Sequence, residues 1–126
     1  MTITELIEQS HDLAKEKGWH DVPRSPLEAL CLIHSEISEA CEEVRAGRPL
    51  DKTLVTEFLD SRTAKCRLHD RSDGPELKPF GFPIELADAV IRIADLCGEL
   101  GIDLEEAIRV KHEYNKTRPY RHGKKV

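Results

Sequence analysis

The stretch SPLEALCLIHSEISEACEEVRAG, residues 25–47, decides the fold class of this chain. Ser25 is a good helix N-cap, Pro26 suits the first turn, and Glu28 completes the pattern of a capping box. Gly47 is a typical helix stop, because glycine readily adopts the left-handed conformation. Between these ends, apolar residues recur at steps of three and four, which predicts one long helix with a broad buried stripe. The stripe consists of Leu27, Leu30, Cys31, Ile33, Ile37, Ala40, Cys41 and Val44.

Three further helices are predicted on the two sides of this one. Their ranges are about 4–17, 83–100 and 103–117. Gly18 and Gly101 end the first two of these helices. Asp103 begins a second capping box, and Pro119 prevents the last helix from continuing.

The segment over residues 50–82 carries a weaker pattern. A short helix is predicted over residues 53–68, followed by a polar, mobile loop over residues 70–82 that contains proline and glycine. The chain over residues 1–126 is therefore expected to be a single all-α domain of four to five helices, in which residues 50–82 are an insertion or a mobile segment.

The composition supports a helical protein. Hydrophobic residues make up 39% of the chain, charged residues 34% and aromatic residues only 5%, a balance typical of amphipathic helices rather than of a β-sandwich. The net charge of −5 argues against stable binding to nucleic acid. No apolar run approaches the ~20 residues that span a bilayer, and no cleavable apolar signal is visible at the N-terminus. We therefore expect a soluble, cytoplasmic protein with no membrane contact.

The four cysteines are widely separated and form no Cys-x-x-Cys pair, so zinc ligation by thiolates has little support. Three of them, Cys31, Cys41 and Cys97, lie in apolar helical runs, where a free thiol behaves as a small hydrophobic group. Reduced, buried thiols are therefore expected.

Two pairs of acids mark the candidate site. Glu36 and Glu39 are three residues apart on the second predicted helix, so both side chains leave the same side of it. Glu85 and Asp88 repeat the spacing on the fourth helical segment. Each pair borders an apolar stripe. If the two helices pack together, four carboxylates converge, and their repulsion in a region of low dielectric calls for a bound cation.

Oxygen ligands without histidine or cysteine favour Mg²⁺ or Mn²⁺ over zinc or copper. The competing interpretation is that both pairs are solvated helix surface, since Glu-x-x-Glu is common there. In that interpretation Arg92, four residues after Asp88, forms an ordinary helical ion pair with it.

The segment over residues 111–125 is strongly basic. Lys111, Asn115 and Arg118 follow steps of four and three, which places them on one helical face suited to phosphate oxygens. The alternative is favourable cation placement at a helix C-terminus, followed by a solvated tail.

Two single residues have open interpretations. Trp19, in a loop, either stacks on a base or covers the core, and His34 is either a ligand or a structural residue.

Three motifs in order, LIHSEISEA at 32–40, ELAD at 85–88 and YNKTRPYRHGK at 114–124, resemble those of the MazG-like family of all-α nucleoside triphosphate pyrophosphohydrolases. The resemblance implies a Mg²⁺-dependent enzyme that releases pyrophosphate from a (deoxy)nucleoside triphosphate and leaves the monophosphate. It implies metal binding by Glu36, Glu39, Glu85 and Asp88. It places Lys111, Asn115 and Arg118 near phosphates or sugar, Trp19 near the base, and Tyr114 and Arg121 within the motif.

One departure from the family pattern is the long connection between Glu39 and Glu85. The extra residues 52–82 have three interpretations: a lid over the base, a subunit contact or an inert insertion.

Because four helices of this size bury little apolar surface, a homodimer or homotetramer is expected, with sites that use residues of neighbouring subunits. The main rival is a non-enzymatic regulatory helical module that binds a partner through its basic C-terminal segment. A di-iron bundle is disfavoured, since neither acid motif has the histidine of Glu-x-x-His.

Overall fold

The computed structural model describes residues 1–60 and 62–125. Over these residues the chain is mostly helical and contains one small antiparallel hairpin. In chain order the elements are α1 (Ile3–Glu16), α2 (Pro26–Arg45), β1 (Leu54–Phe58), β2 (Ala64–Leu68), α3 (Phe82–Leu100), α4 (Leu104–Lys116) and a 3₁₀ turn (Tyr120–Gly123). Among the described helices, none combines the length and the hydropathy of a segment that crosses a bilayer.

The four predicted helices are confirmed, and their ends follow local capping chemistry. The Ser25 hydroxyl accepts a hydrogen bond from the Glu28 N–H at 3.2 Å, and Asp103 Oδ1 accepts one from the Glu106 N–H at 3.0 Å. Gly47, just past α2, has a φ of +70°, which is the left-handed conformation expected of a residue that ends a helix.

The predicted helix over residues 53–68 is wrong. This segment forms the hairpin of β1 and β2, in which Thr56 faces Cys66. β1 is rich in β-branched and aromatic side chains, and Asp60 reverses the chain by accepting hydrogen bonds from the N–H groups of Arg62 and Thr63, both at 2.8 Å. The all-α expectation therefore holds only for the bulk of the chain.

The polar segment that follows the hairpin is tied down at two points. Arg67 binds Asp73 with two guanidinium nitrogens, at 2.5 and 3.0 Å, and this contact lowers the pKa of Asp73 to about 2. Further along, Phe80 and Leu54 exchange both backbone hydrogen bonds, each at 2.9 Å. The return of the chain to β1 fixes the point at which α3 begins.

Contacts divide the chain into two compact units, and α3 contributes to both. One unit comprises Met1–Pro23 and Ala94–Val126; the other comprises Arg24–Ile93. In the first, α1 and α4 pack together, and the Thr4 hydroxyl donates a hydrogen bond to Glu105. In the second, the hairpin supplies the only side chain larger than alanine that is wholly buried within the described residues, Val55.

Two expectations about burial are wrong. On α2, Ala40 is the one apolar stripe residue that is buried, while large side chains such as Leu27, 75% exposed, face solvent in the single chain. All four cysteines are free thiols, but Cys97 alone is buried; Cys31 and Cys41, which were expected inside, are exposed. Helical periodicity identifies a common face correctly, but it does not say whether the same chain covers that face.

Replacing Val55 with alanine tests the importance of the hairpin. Removal of two buried methyl groups from a fully enclosed site is expected to lower the free energy of unfolding by about 1–3 kcal/mol. The measurement is the urea midpoint of the purified protein. The matched control Val22→Ala, at a position that is 77% exposed, is expected to change stability by less than about 0.5 kcal/mol. Equal effects of the two variants would contradict the structure.

Candidate metal centre

The four acids predicted from spacing come together in the compact unit Arg24–Ile93. Carboxylate oxygens of Glu36, Glu85 and Asp88 all lie within 4.8 Å of one another. Glu39 lies close enough to Glu36 and Glu85 for both of them to affect its pKa. Each pair is presented by successive turns of one helix, α2 or α3, so the i, i+3 spacing produces the cluster that it predicts.

Glu36 is the most buried member, with 6% of its surface exposed. Its Oε1 accepts a hydrogen bond from Arg92 Nε at 2.5 Å, whereas its Oε2 is buried and has no hydrogen-bond partner among residues 1–60 and 62–125. A buried carboxylate oxygen without a partner is unusual and costly. The oxygen is therefore available to a cation.

The competing interpretation pairs Arg92 with Asp88 along α3, but the Arg92 guanidinium contacts Glu36 on α2 instead. Arg92 pairs with Glu36 rather than with Asp88 because Glu36 is the more buried acid, and a buried carboxylate is stabilised more by a charged partner. The Arg92 charge still acts on Asp88, where it opposes part of the rise in pKa.

Hydrogen bonding, burial and neighbouring negative charges raise the pKa values of three of the acids. The pKa of Glu39 is raised chiefly by the hydrogen bond and negative charge of Glu36. For Glu85 and Asp88 the largest cause is burial, followed by the charge of Glu39 and of Glu36 respectively. Each of these carboxylates thus holds its proton more tightly than a free side chain does, because burial and neighbouring anions disfavour its charged form.

Two cationic residues of this compact unit were not identified from the sequence. Lys78 lies close enough to Asp88 for its charge to oppose a small part of the rise in the pKa of that carboxyl. Arg48 donates a hydrogen bond to the buried Glu43 at 3.0 Å, and its guanidinium lies 5.6 Å from the centroid of the Phe80 ring. Arg48, Lys78 and Phe80 line a groove of about 530 Å³ beside the hairpin. Neither cation has a helical spacing that would mark it, because both lie in segments without periodicity.

The predicted phosphate-binding residues lie in the other compact unit, at the end of α4 and beyond. The Lys111 ammonium and the Arg118 guanidinium flank the ring of Tyr114, 4.9 and 5.6 Å from its centroid. Asn115 Oδ1 is buried without a hydrogen-bond partner in the described part of the chain. Arg121 donates a hydrogen bond to the Lys125 carbonyl at 2.8 Å. Lys111 and Arg118 therefore meet at the ring of Tyr114, whereas the expectation that Asn115 shares their face stays a prediction.

Two remaining predictions have plain outcomes. Trp19 is 62% exposed, so the interpretation that it covers the core is wrong for the single chain. His34 is exposed on α2 and does not belong to the acid cluster.

The donor set at the acid cluster fits a hard divalent ion. Every ligand atom offered is a carboxylate oxygen, which is the preference of Mg²⁺ and Mn²⁺. Mg²⁺ in proteins usually keeps several coordination positions for water or for substrate phosphates. No family model, curated protein or solved structure matches this chain.

The raised pKa values predict how the metal-free protein responds to pH. A native state that holds protons more tightly than the unfolded chain loses stability as the pH rises through the raised pKa values. The neutral amide of Glu39→Gln removes one of the repelling charges. The melting temperature of the variant in chelator is therefore expected to exceed that of the wild type near pH 7.

This advantage is expected to shrink as the pH falls through the raised pKa values of Glu39, Glu85 and Asp88 towards their ordinary values near 4. Melting temperatures measured from about pH 7 to about pH 4 test this. Glu42→Gln, an exposed acid on the same helix, is the matched control. An advantage of Glu39→Gln that is constant over the whole pH range would show that the acids do not repel one another.

Proposed function

We propose that this protein is a metal-dependent hydrolase that converts a (deoxy)nucleoside triphosphate to the nucleoside monophosphate and pyrophosphate. The observation that carries the proposal is the buried Glu36 carboxylate, whose Oε2 lacks a hydrogen-bond partner among the described residues although three other acids surround it. The resemblance of the three sequence motifs to the MazG-like family supports the same reaction class. Such a reaction serves nucleotide-pool control or the removal of damaged nucleotides.

Mg²⁺ is the ion that we assign to the four acids, with Mn²⁺ as a substitute. When bound, it supplies neutralisation of the phosphate charge and of the charge that develops on the departing pyrophosphate. Glu36, Glu39 and Asp88 are the proposed ligands. Arg92 positions the site by fixing Glu36 Oε1, which leaves Oε2 to the ion.

Two roles fit Glu85, and its environment supports the second. It is either a fourth ligand or the base that takes the proton from the attacking water. Burial and the charge of Glu39 raise the pKa of Glu85, and a carboxylate with a raised pKa is a stronger base near neutral pH. The proton of the water would then pass to the Glu85 carboxylate as oxygen attacks phosphorus.

The substrate contacts are proposals that follow the family resemblance. Lys111, Asn115 and Arg118 are assigned to the phosphates or the sugar, and the exposed indole of Trp19 is available to stack on a base. Tyr114 contributes by holding the two cations of this set at its ring. Arg121 matches the motif without an assigned contact.

We also propose that the protein is a homodimer or a homotetramer. Helices α2 and α3 leave a set of large apolar side chains uncovered in the single chain, namely Leu27, Leu30, Ile37, Val44, Val90 and Ile91. A large apolar patch that remains exposed on a single chain commonly marks an interface with another protein chain, and most oligomers consist of identical subunits. A second copy is the occupant that we propose, because helices of a bundle pack their apolar faces against one another around a shared core.

The oligomer is tested by light scattering at micromolar concentration. The wild type is expected to have the mass of two or four chains, and Ile37→Glu is expected to shift the mass towards one chain by placing a charge in the apolar face. Val22→Glu, at an exposed loop position, is the control and is expected to keep the wild-type mass. A monomeric wild type would contradict the proposal.

The activity is tested by pyrophosphate release from a panel of common and modified nucleoside triphosphates in the presence of Mg²⁺. Glu36→Gln keeps the shape of the side chain but removes the anionic ligand, so kcat/KM is expected to fall by about 100-fold or more. Glu42→Gln on the same helix loses only an exposed ion pair with Arg45 and is expected to keep wild-type activity.

The outcome also separates the two classes of function. If the folded wild type turns over no nucleotide in the panel, the enzyme proposal fails, and the rival of a non-enzymatic module with a basic C-terminal contact is favoured. If Glu36→Gln and Glu42→Gln are equally active, the reaction does not depend on the acid cluster.

A further inference from the structure

A second cluster of ligand-type side chains lies in the compact unit formed by Met1–Pro23 and Ala94–Val126. His11 Nδ1 and His20 Nε2 both contact the same oxygen, Asp95 Oδ1, at 2.9 and 2.8 Å. The other nitrogen of each ring faces Glu99 Oε2, at 3.7 Å from His11 Nε2 and 3.3 Å from His20 Nδ1. Two imidazoles are thus held between two carboxylates that are one helical turn apart on α3.

The backbone of α3 is shaped to admit His11. Gly98 lies inside this helix, where a glycine costs about 1 kcal/mol relative to alanine. A Cβ at this position would lie 2.6 Å from His11 Cβ and 2.7 Å from His11 Cγ, so any other residue would displace the ring. The close approach of α1 to α3 at this point brings an imidazole next to Asp95.

We propose that His11, His20 and Asp95 bind a divalent transition-metal ion of the zinc class. Imidazole nitrogens with one carboxylate oxygen are the ligands that such ions prefer, in contrast to the oxygen-only acid cluster. Three protein ligands leave a fourth tetrahedral position for water or another small donor. The site is separate from the proposed Mg²⁺ site in its residues, its ligand chemistry and its compact unit.

The distances in the cluster fit an ion after a small expansion. Ligand atoms around a tetrahedral zinc ion are roughly 3.3 Å apart, as follows from metal–ligand bonds of about 2.0 Å. The nitrogens are 2.8 and 2.9 Å from Asp95 Oδ1, so a shift of a few tenths of an ångström makes room. These side chains are partly buried, which is enough to hold their geometry.

Glu99 supplies the second requirement of a histidine metal site. A metal-binding histidine usually donates its other ring N–H to a carboxylate, which fixes the tautomer and leaves the ligating nitrogen unprotonated. Glu99 Oε2 lies 3.3 Å from His20 Nδ1, where it favours the tautomer in which Nε2 is free to bind the ion. Glu99 is therefore a positioning residue rather than a ligand.

The cluster can also be reached by an ion. His11 lines an open groove of about 390 Å³, together with Ile7, Cys97 and Asp103. An entry path and an outer carboxylate accompany the three ligands, as is expected of a site that loads metal from solution.

The test uses the 126-residue chain and Co²⁺, whose visible absorption distinguishes a four-coordinate site with imidazole ligands from an octahedral oxygen site. Titration is carried out with a large excess of Mg²⁺, which occupies oxygen-only sites but competes poorly for imidazole. The wild type is expected to develop intense visible bands at one equivalent of Co²⁺, and Zn²⁺ is expected to remove them.

Three variants assign the bands to this cluster. His20→Asn is expected to abolish them, while His112→Asn, which changes an exposed histidine outside the cluster, keeps them. Glu99→Gln is expected to weaken Co²⁺ binding by about 10–100-fold. Its side chain is 50% exposed, so the fold is not at risk, and Glu16→Gln, an exposed acid outside the groove, is the matched control with wild-type affinity.

Two spectroscopic results would contradict the proposed metal site. A wild type without intense bands, or a Glu99→Gln variant with unchanged Co²⁺ affinity, would overturn the proposal. Glu36→Gln is expected to keep the bands, and their loss in that variant would assign them to the acid cluster instead. Because binding is read from the spectrum, failure of the nucleotide hydrolysis proposal leaves this test unaffected.

Discussion

The ion pair between Arg92 and Glu36 is the interaction on which the acid cluster depends. A carboxylate with only 6% of its surface exposed needs a strong partner, and the guanidinium of Arg92 at 2.5 Å provides it for one oxygen. The same contact links α3 to α2 and so brings Glu85 and Asp88 to the acids of the other helix. One guanidinium at hydrogen-bonding distance does not balance four carboxylates, and the uncompensated negative charge adds to the effect of burial in raising the pKa values of three of them.

The helices and the acid cluster follow from local sequence, because caps, stops and the i, i+3 spacing act over a few residues. Ser25, Gly47 and Asp103 mark helix ends that the structure reproduces, and each acid pair lies on successive turns of its helix. The partner of Arg92 could not be predicted in this way. Along one helix Asp88 is the natural partner, and only the arrangement of two helices brings Glu36 within reach.

The hairpin and the histidine cluster were missed for two different reasons. β1 and β2 are short, and the turn between them depends on one side chain, Asp60, whose hydrogen bonds to two backbone N–H groups are not a periodic signal. His11, His20 and Asp95 are distant along the chain and share no spacing, although Gly98 inside a helix is a mark of close approach. The exposed stripe of α2 illustrates a third limit, since periodicity does not distinguish a core from an interface between subunits.

The backbone pairing of Leu54 with Phe80 has a wider consequence for how this chain can vary. The segment between Leu54 and Phe80 begins and ends at paired residues. A change in the length of this segment therefore does not alter the distance that the chain must span between α2 and α3. Loop closure becomes only slowly more unfavourable with length, so residues can be added or removed at the tip with little thermodynamic penalty. The hairpin is therefore a natural position for evolutionary diversification or for the grafting of a foreign peptide, while the acids of α2 and α3 keep their places.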